Sequence, residues 1–210
     1  MKRVLWYNGI MKRNINKIVV IASSTGGPKA LQRVLPFIPA DIGVPIVVVQ
    51  HILSGFADTL AQRLNEASEI TIKGAVENEP LQRGYAYFAQ GGKHMHYRRS
   101  EGLGTVFFTN DPPRNGVRPC ANYFYESLVD SPFDEIICVV MTGMGMDATE
   151  GILHLEKHKK IHVIAQNEET CTVYGMPRSI IEAGKADKIV RLDDIAREIF
   201  LSVGEEKNGR

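Results

Sequence analysis

Four short stretches of this chain are almost continuous β-branched hydrocarbon: KIVVIAS at 17–23, PIVVVQ at 45–50, EIICVVM at 135–141 and IHVIAQ at 161–166. A strand with one wet face alternates apolar and polar residues, whereas a run that is apolar at successive positions has both faces buried. Parallel strands covered by helices on two sides have that pattern. Between the runs lie helix-length amphipathic stretches at 28–35, 56–66, roughly 119–129, 146–157, 177–183 and 193–203, the first led by Pro28 at a first-turn position. This order predicts an α/β fold: a doubly wound, mostly parallel sheet with helices on both faces, a Rossmann-like α/β/α sandwich. The middle breaks the rhythm. ITIKGAV, YAYFAQ, HMHYRR and TVFFTN within 69–109 are separated by glycine-containing turns, and they predict a β-rich insertion with a β-hairpin around 84–109.

A length of 210 residues suits one domain with a sizeable core. We divide it into a polar-basic lead or linker remnant at 1–16, a domain at 17–203 and a flexible tail, GEEKNGR, at 204–210. The opening MKR recurs at Met11, so a start at Met1 and a start at Met11 both stay open. Lys and Arg number 25 against 24 Asp and Glu, which leaves no global field to draw nucleic acid or an acidic membrane, and any partner must be recognised locally. The three cysteines, Cys120, Cys138 and Cys171, are odd in number and share no Cys-x-x-Cys spacing. They argue against a disulfide framework and for a reducing, cytoplasmic setting. No apolar run approaches the roughly 20 residues that cross a bilayer, and VLWYNGIM is too short and interrupted for a signal peptide.

In an open α/β sheet the chemistry gathers beyond the C-terminal ends of the strands. The first strand ends in Ser23, Ser24, Thr25, Gly26 and Gly27. A hydroxyl at such a strand-to-helix turn stands out of the sheet beside backbone N–H groups able to hold an oxyanion or phosphate. Nucleophile, phosphate loop and plain capped turn all remain open from these residues alone, although no Walker sequence occurs. The second strand is followed at once by His51, a general base if a hydroxyl lies on the neighbouring strand end, since imidazole both takes and returns a proton near neutral pH. The third leads into MTGMGMDATEG, where Asp147 is expected about one turn into the next helix, stabilised by orphan N–H groups. Asp147 reads either as an acidic first-turn residue or as the group that orients His51. A rival reading takes Gly143-x-Gly145-x-x-Ala148, with Glu168 beyond it, as a dinucleotide-binding fingerprint, though Asp147 sets a negative charge where a pyrophosphate would lie. The fourth strand end, QNEETCTVYGMPRS, reads as rim or packing.

Together these segments resemble the catalytic domain of the CheB-type protein-glutamate methylesterases of bacterial chemotaxis. Over residues 17 to about 203, IASSTGGP, VVQHI…GF, GYAYFAQGGKHM, RPCANYF, MTGMGMDATEG and QNEETCTVYGMP follow the order of that family's motifs. The resemblance implies a serine hydrolase with a Ser-His-Asp triad at Ser24, His51 and Asp147. It implies demethylation of glutamate γ-methyl esters, and deamidation of glutamines, on the cytoplasmic helices of methyl-accepting chemoreceptors, with no cofactor and no metal. Thr25 and Met144 are expected to lend oxyanion-hole amides, and Gly26, Gly27, His94, Tyr174 and Met176 to line the substrate rim. Ala22 and Ser23 stand where the family motif has Gly-Ala, Gln90 for a proline, Cys120 and Asn122 for Ser and Asp, and Ala148 for Gly. The changes at 120 and 122 are expected to bear on substrate preference rather than chemistry. Sixteen leading residues are too few for the family's receiver domain, so a stand-alone form, a form governed by a separate response regulator or other regulatory protein, and a piece of a longer chain all stay open. Two other classes stay in view, a nucleotide-binding module on the Gly143–Ala148 loop and a scaffold without turnover. His154 and His158, four apart on one helix among lysines, read as a solvated helix end, the basic HYRR at 96–99 as a solvated hairpin, and Cys171 as packing.

Overall fold

A computed structural model describes residues 16–204, so all but the last residue of the 1–16 lead and all but the first residue of the 204–210 tail lie outside the described residues. The elements run β1 (Lys17–Ser23), α1 (Gly27–Val34), β2 (Ile46–Gln50), α2 (Ala57–Glu66), β3 (Thr71–Gly74), β4 (Tyr85–Phe88), β5 (His94–Arg98), β6 (Thr105–Thr109), α3 (Ala121–Ser127), β7 (Glu135–Val140), α4 (Thr149–Leu155), β8 (Lys160–Gln166), α5 (Met176–Glu182), β9 (Lys188–Val190) and α6 (Ile195–Gly204). Seven of the strands form one sheet in the order β3-β4-β2-β1-β7-β8-β9, and every neighbouring pair in it is parallel.

The Val/Ile runs behave as two-faced strands. Every residue of β1, β2 and β7 is buried, and alternate side chains of β1 enter different cores. Ile18, Val20 and Ala22 pack with Phe124, Ile152 and Ile180, from α3, α4 and α5. Val19 and Ile21 pack with Leu31, Leu60 and Ile199, from α1, α2 and α6. Each fully buried Val or Ile contributes about 1.5–3 kcal/mol, so the central strands fix the register of the whole sandwich.

The insertion is narrower than expected. β5 and β6 make the antiparallel hairpin, pairing His94 with Thr109 and Arg98 with Thr105, but Tyr85–Phe88 is β4 of the main sheet, beside β2. The reason is that YAYF is also apolar on both faces: Tyr87 enters one core, Ala86 and Phe88 the other. The three-residue edge strand β9 had no counterpart in the sequence reading. The hairpin lies over α3, with Met95 and Tyr97 in the α3 core and the Ser127 hydroxyl accepting from Tyr97 N at 2.8 Å. From β1 the chain builds outward to β2, β4 and β3 on one side, and from β7 to β8 and β9 on the other. The loops after β1 and β7 therefore part in opposite directions and leave a crevice at the C-terminal edge of the sheet.

Candidate active site

Register alone brings the first two sequence-predicted residues together. Ser23 faces Gln50 as the last pair of the β1–β2 ladder, so the next residues on these adjacent strands are Ser24 and His51. His51 N donates to Ser23 O at 2.9 Å, and Ser24 N donates to Thr142 O at 3.0 Å, just past β7. The chain turns out of β1 through Gly26, whose φ of 81° lies in the region open mainly to glycine. A Cβ there would run into the Thr172 side chain. Gly143 closes the crevice from the β7 side, where a Cβ would stand 2.7 Å from Ser24 Cβ and collide with Met176 Sδ.

Asp147 corrects one expectation. Helix α4 begins at Thr149, after an N-cap at Ala148 with φ 82°, so Asp147 precedes the helix rather than sitting in its first turn. That backbone turn aims the carboxylate across to the start of α3. Oδ2 accepts from His51 Nε2 at 2.6 Å and from Ala121 N at 2.7 Å. Oδ1 accepts from Ala148 N at 2.8 Å, Asn122 N at 3.0 Å and Cys120 Sγ at 3.1 Å. The residue is only 3% exposed. Burial, the largest influence, pushes its pKa up, but the hydrogen bond and charge of His51, with the Ala121 amide and the Cys120 thiol, outweigh it and hold Asp147 at about 2. Asp147 is thus ionised at neutral pH. Cys120 contacts Asp147 through its thiol and Asn122 through its backbone N–H, and burial beside that carboxylate pushes the Cys120 thiol up to about 12.

His51 is held by one nitrogen only. Its side chain is 10% exposed, and Nδ1, buried, has no hydrogen-bond partner among the described residues, so no bond joins it to the Ser24 hydroxyl. The amides of Thr25 and Met144, in the loops after β1 and β7, donate no backbone hydrogen bond among the described residues. The residues expected at the rim divide. Gly26 and Tyr174 are half-buried, Gly27 and Met176 buried. Tyr174 bridges to Gly143, whose carbonyl accepts from Gly175 N and Met176 N, both at 2.9 Å. His94 is fully buried, which removes it from the rim. Its Nε2 bonds Pro112 O at 3.1 Å and its ring meets Tyr123 edge-on at 4.7 Å, because α3 closes over the inner face of β5. The loops carrying His51 and Asp147 also expose Leu53, Phe56, Met144 and Met146, between 53% and 76% accessible; of these, sequence reasoning singled out Met144 alone, and for its amide.

The rival uses fare less well. In the Gly143–Ala148 loop the place next to a would-be pyrophosphate is taken by the ionised Asp147, and the Gly143 carbonyl is already bonded to the Tyr174–Met176 turn. The rings of His154 and His158 lie 5.2 Å apart, tilted by 43°, but no group of three metal-capable side chains forms among the described residues. Sequence reasoning also missed Gln50, whose signal was a polar residue at the last, buried position of an otherwise Val/Ile strand.

A family model described as CheB methylesterase matches residues 19–199. The protein-glutamate methylesterase/protein-glutamine glutaminase of Geobacillus kaustophilus is 45% identical over 188 residues, 90% of this chain and 54% of its own length. Its counterpart in Bacillus subtilis is 41% identical over 192 residues, 91% of this chain and 54% of that protein. The chain therefore spans about half the length of these relatives. The crystal structure of the Thermotoga maritima CheB methylesterase catalytic domain matches with a TM-score of 0.85 at 37% identity, over 89% of this chain and 98% of that one.

Proposed function

The chain belongs to the CheB methylesterase family, and from that premise we propose that it is a serine hydrolase that cleaves glutamate γ-methyl esters, and deamidates glutamines, on the cytoplasmic helices of chemotaxis receptors. The observation that carries the reading is the 2.6 Å bond between His51 Nε2 and Asp147 Oδ2, with Ser24 one residue past the adjoining strand end.

In this mechanism Ser24 Oγ attacks the ester carbonyl carbon while His51 takes its proton. Because Nε2 is committed to Asp147, the base is Nδ1, the reverse of the usual serine-protease assignment. The charge developing on the carbonyl oxygen is received by the N–H groups of Thr25 and Met144, which have no backbone partner among the described residues and are of the kind whose removal costs about 10²- to 10³-fold in rate. Asp147, ionised and held by its other four donors, offsets the imidazolium that forms. Collapse of the tetrahedral intermediate breaks the C–O bond, and His51 returns the proton to the departing methanol. Water then attacks the acyl-serine by the same route and frees the glutamate carboxylate. With glutamine the leaving group is ammonia, and the intermediate is otherwise the same. The cytoplasm suits this substrate and the three unpaired cysteines, and a separate response regulator is the partner proposed to govern activity.

The test is release of labelled methanol from receptor methylated on glutamate. Ser24→Ala is expected to abolish release. A Ser24→Ala protein that matched the unaltered enzyme would sink the proposal.

A further inference from the structure

One layer behind Ser24 and His51 lies a buried polar pair that the mechanism does not use. Ser23 is fully buried and Gln50 is 2% exposed. Ser23 Oγ donates to Gln50 Oε1 at 2.7 Å. Gln50 Nε2 donates one hydrogen to the carbonyl of Ser24 at 3.0 Å and the other to the carbonyl of His51 at 2.7 Å. A single side-chain amide thus ties together the backbones that carry the nucleophile and the base. Its group is planar, with the two N–H directions fixed relative to each other, so the two carbonyls it holds are fixed relative to each other as well.

The location gives this geometry its consequence. Ser23 and Gln50 are the last facing residues of the ladder, and beyond them each strand departs to its own helix. Ser24 keeps two other anchors, through Ser24 N to Thr142 O and Gly27 N to Ser24 O, whereas the His51 backbone keeps one, His51 N to Ser23 O. Helix α1 seals the pair: a Cβ on Gly27 would strike Gln50 Oε1 and come within 2.9 Å of Ser23 Oγ. An amide buried among valines is costly unless its donors and acceptor are matched. Both N–H groups and the carbonyl of Gln50 are matched, and two of the three bonds go to the residues whose separation decides proton transfer.

We propose that Gln50, held in one orientation by Ser23, is a positioning residue that sets the distance between Ser24 and His51; the proposal rests on the triad reading above. Gln50→Glu keeps the shape but turns an oxygen toward both carbonyls. Ser23→Ala leaves the amide in place with its Oε1 unmatched. Tyr125→Phe is the control, since the Tyr125 hydroxyl bonds Val20 O at 2.9 Å in the same sheet, away from the strand ends.

The readout is the rate of labelling of Ser24 by a fluorophosphonate probe, separated into the maximal rate and the half-saturating concentration, with thermal unfolding to establish that each variant folds. Because misplacement of reacting groups by about 1 Å costs up to about 100-fold, Gln50→Glu is expected to lower the maximal rate at least about 30-fold and Ser23→Ala about 3- to 10-fold. The half-saturating concentration should stay within about 2-fold, and Tyr125→Phe should label within about 2-fold of the unaltered protein, as a change that does not misplace the pair must. Folded Ser23→Ala and Gln50→Glu proteins that label as fast as the control would overturn the proposal, and Ser23→Ala alone decides if Gln50→Glu does not fold. Failure of the unaltered protein to label Ser24 counts against the triad reading instead. The positioning claim is then decided by the downfield NMR resonance of the His51–Asp147 proton: lost in Ser23→Ala and kept in Tyr125→Phe, it stands, and kept in both, it falls.

Discussion

Asp147→Asn tests the site at its most heavily bonded atom pair. A carboxyl held at about 2 in the folded chain, against 3.8 when free, contributes about 2 kcal/mol to stability. The folded pKa is the lower one, so this contribution is complete above about pH 4 and is lost as pH falls through about 2, where the folded protein also takes up the proton. Asparagine removes more than the charge. Five donors converge on the two oxygens, and an amide offers one acceptor oxygen and an NH2 group that only donates, so at least one buried N–H is orphaned at about 1–3 kcal/mol. The sum is a loss of about 3–5 kcal/mol at pH 7, the size seen when one partner of a buried pair is removed. Urea unfolding of both proteins between pH 7 and pH 2.5 measures it. The gap between them should shrink by about 1.5 kcal/mol from pH 5 to pH 2.5 as the native carboxylate is titrated, and carboxylates elsewhere cancel in the difference. A gap that does not change over that range would refute the claim that these donors hold Asp147 ionised. The same substitution should lower kcat about 10³- to 10⁴-fold by releasing the His51 tautomer.

Gly27→Ala should lower stability by about 1–3 kcal/mol through overpacking and slow labelling of Ser24, since the new methyl group strikes the Gln50 amide; thermal unfolding with fluorophosphonate labelling checks both. Alkylation at pH 8 followed by mass spectrometry should find Cys171 modified first and slowly, because it is half-buried with its thiol pushed up to about 11 by burial and by Glu168. Cys120, at about 12, and the fully buried Cys138 should react only on unfolding. Early modification of Cys120 would mean that its bond to Asp147 is not made.

The sheet was readable because burial on two faces imposes a composition that nothing else in a chain of this kind requires, and all four Val/Ile runs became central strands. The same rule explains the misplacement of β4. Tyr85–Phe88 meets the two-face criterion through aromatics and alanine rather than valine, and its neighbours in sequence are turns and a true hairpin. The three residues of β9 carry too little pattern to separate an edge strand from a loop. Ser24 and His51 were legible because the ends of adjacent parallel strands must be neighbours. Asp147 was legible as a residue but not in its setting: two of its three amide donors come from residues 121 and 122, and no local pattern announces that α3 starts under a loop some twenty-five residues further on. Ser23 was an oddity of the motif until Gln50 appeared opposite it.

These contacts rank the three residues of the proposed triad by how firmly they are held. Asp147 has five donors and almost no exposure. His51 is fixed at Nε2 by Asp147 and at its carbonyl by Gln50, while Nδ1 stays unbonded. Ser24 is fixed at its amide and carbonyl, and its hydroxyl makes no bond to that nitrogen. The order suits the chemistry proposed for them. Asp147 must keep its charge and position throughout, His51 must keep its orientation while its proton changes hands, and the Ser24 oxygen must leave the protein's own hydrogen bonds to join the substrate. A serine hydroxyl rotates about one bond at little entropic cost, whereas moving Asp147 would break contacts with two loops and a helix at once. Pairing of Ser24 with Nδ1 is therefore the step that a bound ester can complete without disturbing anything beneath it, and the rigid part of the site is the part that sets the proton's destination.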